Sequence, residues 1–146
     1  MKFGSMSPIE MRTQARSKPS ISRDRADRLR AARIAAPALR GACPTATCMN
    51  VELQFLPAAA PPHAAQTFVL YPAAKAFFSY PCPYGDCDGT YDLDLEASRA
   101  MSTSDGRVTG TRECLGARSR EGMPKQPCGL HLHYTITAIH EAVNTA

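Results

Sequence analysis

Residues 82–91 read CPYGDCDGTY and contain two cysteines with four residues between them. A proline follows the first cysteine, and its fixed φ presets the chain for a tight turn. Gly89 stands two positions after the second cysteine, where such a turn needs a residue that tolerates a positive φ. A turn of this kind directs both sulfur atoms toward one point, with a spacing that pairs of zinc ligands use. The stretch therefore predicts half of a zinc site.

The other four cysteines are a second copy of this motif and two single residues. Cys43 and Cys48 have the same spacing, again with a proline after the first cysteine. Cys114 and Cys128 stand alone, and Gly116 follows Cys114 by two positions. Six cysteines are many for a chain of 146 residues. In a reducing compartment they are expected to be metal ligands more often than disulfides.

The stretch from residue 82 to residue 91 resembles a zinc knuckle of the zinc-ribbon type. It is similar to the Cys-Pro-x-x-x-Cys-x-Gly turns of ribbons and of in-between-RING domains. In that family the knuckle lies between two strands, and a facing hairpin supplies the second ligand pair. The resemblance covers roughly residues 77–135. It implies that Cys114 and Cys128 form the second pair, although thirteen residues separate them instead of the usual few.

Several ligand sets remain open at this stage. The resemblance implies one structural zinc ion held by Cys82, Cys87, Cys114 and Cys128. The repeated motif offers Cys43, Cys48, Cys82 and Cys87 instead, and disulfides or free buried thiols are further alternatives. A site with four thiolates is closed, so it stabilises a fold and offers no position to a hydrolytic water. In the first set Cys43 and Cys48 remain for a second partial site or a redox pair.

Alternation of apolar and polar residues predicts a mainly β fold, a small antiparallel sheet domain stabilised by the zinc site. The predicted strands are 49–56, 66–71, 75–80, 89–96, 107–113 and 130–137. Short turns and the lack of a helical period between these segments favour antiparallel pairing.

The patterns of two of these strands also predict which side chains face the core and which face solvent. In 89–96 the apolar residues, including Leu93 and Leu95, are expected to face inward and the acids, including Glu96, outward. In the last strand, His131 and His133 share the polar face and are expected to be surface residues at an edge of the sheet.

The N-terminal 40 residues carry ten Lys/Arg and three acids, whereas the rest of the chain has more acids than bases. This composition predicts a basic arm, without regular structure over 1–20 and helical over about 23–36. Ser22 is the expected N-cap of that helix and Pro37 its stop. The β domain is then expected to span 41–140, with a frayed tail at 141–146.

No Gly-rich phosphate loop and no nucleophile motif is visible, so the expected function is a non-enzymatic adaptor or regulatory binding module. Nucleic acid is one expected partner, a protein the other. The basic loop would contact nucleic acid through Arg107, Arg112, Arg118, Arg120 and Lys125. The alternative is a small thiol- or metal-dependent redox protein that uses Cys43 and Cys48. No apolar run reaches the ~18 residues of a membrane span, and no secretory signal is visible, so a cytoplasmic location is expected.

Overall fold

A computed structural model describes residues 18–56, 65–103 and 105–141. The helices are α1 (Lys18–Ala35), α2 (Leu39–Ala42) and α3 (Asp94–Ser102). The strands are β1 (Ala46–Leu56), β2 (Gln66–Leu70), β3 (Ser79–Pro81), β4 (Thr90–Asp92), β5 (Arg107–Glu113), β6 (Ala117–Arg118), β7 (Gln126–Pro127) and β8 (His131–His140). Strand exceeds helix among these residues, which confirms the prediction of a mainly β fold.

The main sheet has four antiparallel strands in the order β2-β1-β8-β5. Val51 of β1 pairs with Phe68 of β2 on one side and with Ile136 of β8 on the other. The period of two in β1 and β8 buries one face of the sheet, on which Val51, Leu53 and Leu132 are almost fully inaccessible. That face forms the core of the domain, and the opposite face of these two central strands carries mainly polar side chains.

Two small sheets complete the β structure and place the cysteines. The hairpin of β3 and β4 has three residue pairs, and residues 82–89 form the turn between its strands. The hairpin of β6 and β7 has two residue pairs. Cys114 directly follows β5, and Cys128 directly follows β7. The ends of three different strand pairs therefore bring cysteines to one side of the core.

The prediction of a strand over 89–96 is wrong beyond Asp92, because α3 begins there. The carboxylate of Asp92 accepts a hydrogen bond from the backbone N–H of Asp94 at 3.0 Å, which starts the helix. Leu95 is 59% exposed, whereas Glu96 is buried and accepts a hydrogen bond from Arg112 Nε at 2.9 Å. Leu93 is buried immediately before the helix. The inward and outward assignments therefore hold at Leu93 and fail for Leu95 and Glu96.

Two further strand predictions need correction. In the segment predicted over 75–80, regular pairing begins only at Ser79. The N–H of Ala76 instead donates to the carbonyl of Pro37 at 2.7 Å, so this segment is tied to the linker after α1. His131 and His133 are exposed, but they do not lie at an edge, because β8 runs between β1 and β5.

Helix α1 is longer than predicted, since it includes residues 18–22 and places Ser22 inside the helix. Ile21 and Arg25 are buried against the β structure, so the helix packs on the domain. The predictions for residues 1–17 and 142–146 lie outside the described residues. None of the helices in the described ranges combines the length and apolar character that a membrane-spanning segment requires.

Candidate metal centre

The sulfur atoms of four cysteines lie within 4.8 Å of one another, and these are Cys82, Cys87, Cys114 and Cys128. The Sγ atoms of Cys82 and Cys128 are 3.8 Å apart, and those of Cys87 and Cys114 are 3.6 Å apart. These distances are far longer than a disulfide bond. A tetrahedral zinc ion with Zn–S bonds of about 2.3 Å holds its sulfurs about 3.8 Å apart. The cluster therefore has the dimensions of a four-thiolate zinc site.

The knuckle that carries Cys82 and Cys87 is closed by backbone hydrogen bonds. The N–H of Cys82 donates to the carbonyl of Gly89 at 3.1 Å, and the N–H of Cys87 donates to the carbonyl of Tyr84 at 3.2 Å. The N–H of Gly89 points at Cys87 Sγ at 3.3 Å. An N–H donor of this kind stabilises the thiolate form of Cys87 and lowers its pKa, against the larger effects of the neighbouring cysteines.

Cys114 and Cys128 are brought together by the hairpin between them. The N–H of Cys128 donates to the carbonyl of Gly116 at 2.9 Å, and the N–H of Gly129 donates to the carbonyl of Cys114 at 3.2 Å. The N–H of Gly116 points at Cys114 Sγ at 3.4 Å, as Gly89 does at Cys87. The thirteen intervening residues contain the β6–β7 hairpin, which brings Cys128 back beside Cys114. The long spacing is therefore compatible with one shared site.

Gly89 and Gly116 lie against each other between the two ligand pairs. A Cβ atom built on Gly89 would overlap Cys114 Sγ and would lie 3.0 Å from the Cα of Gly116. A Cβ atom built on Gly116 would overlap the backbone of Gly89. Neither position has room for a side chain, because the two backbones are in contact. The prediction of a positive φ at Gly89 is wrong, since neither Gly89 nor Gly116 has one, and the need for glycine comes from this contact instead. This close approach lets the two halves of the site converge on one point.

Two aspartates join the knuckle to the β6–β7 hairpin. Asp86 accepts two hydrogen bonds from the guanidinium of Arg118, at 2.8 and 3.1 Å. Asp88 Oδ1 accepts from the N–H of Ala117 at 2.9 Å. Burial alone would raise the pKa of Asp86, but the hydrogen bonds and the charge of Arg118 hold it below its usual value. Neither role is visible in the sequence, because the partners lie about thirty residues further along the chain.

Three thiols of the cluster differ in the direction in which their pKa is shifted. Hydrogen bonds from Cys82 and Cys87 lower the pKa of the Cys114 thiol to about 4. The same hydrogen bonds to Cys114, together with burial, raise the pKa of Cys82 and of Cys87. A metal ion has to displace the remaining protons before all four thiolates can coordinate it, so metal binding is expected to strengthen with rising pH.

Arg25 of α1 reaches the knuckle from the other end of the chain. Its Nη1 atom donates a short hydrogen bond to the carbonyl of Cys87. The carbonyls of Gly89 and Tyr84 lie 3.4 and 3.5 Å from the same atom. Arg25 is buried, with 7% of its surface exposed. Its charge therefore compensates the carbonyls of the turn that carries Cys82 and Cys87.

We expect the substitution Arg25→Met to destabilise the domain by about 1–3 kcal/mol, because it removes the side-chain donor from the carbonyl of Cys87, whereas the carbonyls of Gly89 and Tyr84 keep their backbone donors. Chemical denaturation measures this loss. Arg28→Met is the matched control, since Arg28 lies on the same helix with its side chain exposed and should change stability by less than about 0.5 kcal/mol. Equal stability of the two variants would show that Arg25 does not support the knuckle.

Three of the five basic residues predicted for nucleic-acid binding make ion pairs within the chain. Arg112 is paired with Glu96, and Arg118 is paired with Asp86 and lies 3.8 Å from the centre of the Tyr84 ring. Arg120 Nε lies 3.8 Å from Asp86 Oδ2. Arg107 and Lys125 are exposed. Two carboxylates, Glu96 and Asp86, are thus paired with three of the five cations.

Cys43 and Cys48 are not part of the four-sulfur cluster. Cys43 is buried just after α2, where its Sγ lies 3.8 Å from the hydroxyl of Thr45. Cys48 is half-buried within β1. The structure therefore does not bring together the alternative ligand set that uses both copies of the motif.

Comparisons with models of protein families, with curated proteins and with solved structures find no match to this chain. The likeness to a zinc ribbon therefore rests on the knuckle and on the four clustered cysteines.

Proposed function

We propose that the protein is a non-enzymatic binding module, an adaptor or regulator whose fold is stabilised by one zinc ion. The observation that carries this proposal is the convergence of four cysteine sulfurs within 4.8 Å. Cys82, Cys87 and Cys114 are buried and Cys128 is half-buried. Soft thiolate ligands in a tetrahedral arrangement favour zinc over the hard cations magnesium and calcium.

The small sheets explain why such a domain would need a metal. Hairpins with two or three residue pairs are not stable by themselves in water. Cys82 and Cys87 lie in the turn of the β3–β4 hairpin, and Cys128 directly follows β7. Cys114 directly follows β5, so an ion bound by the cluster would cross-link the two hairpins to each other and to β5. Structural zinc sites supply folding free energy directly. The proposed role of the ion is therefore to hold the knuckle and the β6–β7 hairpin against the core.

The proposed centre fits a structural role better than a catalytic one. Four protein ligands fill a tetrahedral zinc ion and leave no position for a substrate or for a reactive water. The redox alternative through Cys43 and Cys48 stays a prediction, and the contacts of these two residues do not add support to it. Nucleic-acid binding also stays a prediction, and the ion pairs at Arg112 and Arg118 weaken its basis in the loop.

Cobalt substitution tests the proposed centre. Titration of the metal-free chain with Co²⁺ is expected to give the intense sulfur-to-metal charge-transfer absorption of a tetrahedral thiolate site, saturating at one ion per chain. Cys128→Ser should weaken this absorption, because it removes one sulfur ligand. Cys48→Ser is the control and should leave the spectrum unchanged, since Cys48 lies outside the cluster. A weak spectrum typical of oxygen ligands, or a loss confined to the Cys48→Ser variant, would contradict the proposal.

A further inference from the structure

A groove of about 640 Å³ runs beside β2, on the side of the domain where α1 ends. Its apolar lining includes Phe68, Val69, Phe77 and Tyr80. Phe68 is 38% exposed and Val69 is 48% exposed, although both belong to the main sheet. The rings of Phe68 and Tyr80 stack with their centres 5.2 Å apart. The groove is thus an exposed aromatic surface next to a strand.

The strand beside the groove has an open edge. β2 is the outermost strand of the main sheet and pairs with β1 alone. Within the described ranges, no other backbone hydrogen bond joins residues 66–70 to another part of the chain. An edge strand of this kind presents N–H and carbonyl groups to which an extended peptide can add as a further strand.

The charged side chains among the described residues that line the groove are of one sign. Arg33 and Lys75 are the cations of this lining, and none of its described residues carries a carboxylate. The guanidinium of Arg33 lies 5.1 Å from the centre of the Phe77 ring. Lys75 Nζ donates to the carbonyl of Ala36 at 2.8 Å, which holds it at the rim. The groove therefore complements a ligand that carries negative charge.

One polar atom of the groove has no partner among the described residues. The hydroxyl of Tyr80 is buried and makes no hydrogen bond there, and the residue as a whole is 6% exposed. A buried hydroxyl without a partner costs free energy. The open strand edge, the two cations and the side chain of Tyr80 all lie along the same groove.

We propose that this groove binds an extended peptide segment of a partner protein, which pairs with β2 and sets an acidic side chain against Arg33 and Lys75. This inference rests on the proposed function as a binding module and names the class of its partner. A second copy of the chain fits less well, because pairing through two β2 strands would bring the same cations together without a carboxylate from either groove. Nucleic acid fits less well too, since the groove offers two cations beside a mainly apolar lining.

The test uses the full chain labelled with ¹⁵N, loaded with zinc, and two blocked synthetic peptides, SVEVDVTS and its basic counterpart SVKVKVTS. The acidic peptide is expected to shift the amide resonances of residues 66–70 saturably and to slow their hydrogen exchange, because new backbone hydrogen bonds form there. The basic peptide should not produce either effect. Saturable binding confined to the β5 edge, equal binding of both peptides, or concentration-dependent self-association through β2 would overturn the proposal.

Charge variants locate the acidic contact. Lys75→Gln and Arg33→Gln are each expected to weaken binding of the acidic peptide by about tenfold, because each removes one of the two cations. Arg99→Gln is the matched control, since Arg99 is exposed on α3 and does not line the groove. Zinc content is measured on each sample. A zinc-loaded chain that binds neither peptide overturns the groove proposal alone, whereas a folded chain without zinc overturns the proposed metal centre whatever the peptides do.

Discussion

Replacing Cys87 by serine is expected to abolish zinc binding and to unfold the domain at room temperature. Structural zinc sites contribute about 10–16 kcal/mol of apparent binding free energy in small peptides. A single domain is usually stable by only about 5–15 kcal/mol in total. Cys87 has no exposed surface, so the serine hydroxyl would also remain buried beside three thiolates. Circular dichroism during thermal unfolding, together with metal analysis, measures both effects.

The control for this variant is Cys48→Ser, which changes a half-buried cysteine outside the cluster and should keep the metal. Because Cys87→Ser could fail to fold for other reasons, the wild-type chain is treated with a chelator in parallel. Its near-ultraviolet signal should be lost with the metal and should return when zinc is added. A Cys87→Ser variant that melts at the wild-type temperature would contradict a stabilising role of the ion.

Replacing Gly89 by alanine is expected to cost about 3 kcal/mol or more, the upper end of the range for overpacked sites. The added Cβ would overlap Cys114 Sγ and press on the backbone of Gly116. Neither neighbour is the far end of a flexible side chain. The knuckle with Cys82 and Cys87 would therefore have to move away from the segment of Cys114 and Gly116. We expect weaker zinc binding as well as a lower free energy of unfolding, measured by chelator competition and by denaturation.

Gly41→Ala is the matched control for Gly89→Ala. Gly41 lies in α2 and does not have a positive φ, and apart from its chain neighbours and the backbone of its own helix no described atom lies within 4 Å of the position that an alanine Cβ would take there. An alanine at this position should be neutral or should stabilise the fold by about 0.4–1 kcal/mol, because it restricts the unfolded chain. If the two alanine variants had equal stability, the close packing of Gly89 against Gly116 would not matter for the centre.

The two central strands of the main sheet could be predicted because their apolar side chains alternate with polar ones over most of their length. In β1 and β8, Val51, Leu53 and Ile136 belong to one buried face, and the predicted bounds differ from the observed ones by a few residues. The same rule failed for 89–96, because alternation has the period of a strand whereas the residues from Asp94 onward form a helix. The hydrogen bond from the N–H of Asp94 to the carboxylate of Asp92 lies at the start of that helix, and the pattern of apolar residues does not reveal it.

The candidate site could be predicted only in its local part. The turn between Cys82 and Cys87 is visible in the sequence because a proline follows the first cysteine and presets the turn. Gly89 was predicted for a positive φ, whereas the structure needs a glycine there because Gly116 packs against it. Arg25 could not be predicted, because its partners are backbone carbonyls 59 to 64 residues away, which have no sequence signature. The groove beside β2 could not be predicted from the sequence either, because Arg33 and Lys75 are far apart in the chain and line one groove only when α1 packs on the domain.

Native mass spectrometry of the purified full chain, beside elemental analysis of the same sample, decides whether a zinc ion belongs to the folded protein. We expect one zinc ion per folded chain, with Cys82, Cys87, Cys114 and Cys128 protected from alkylation until the metal is removed. A folded chain that contains no metal, with these four thiols free or joined in disulfides, would contradict a zinc-stabilised fold.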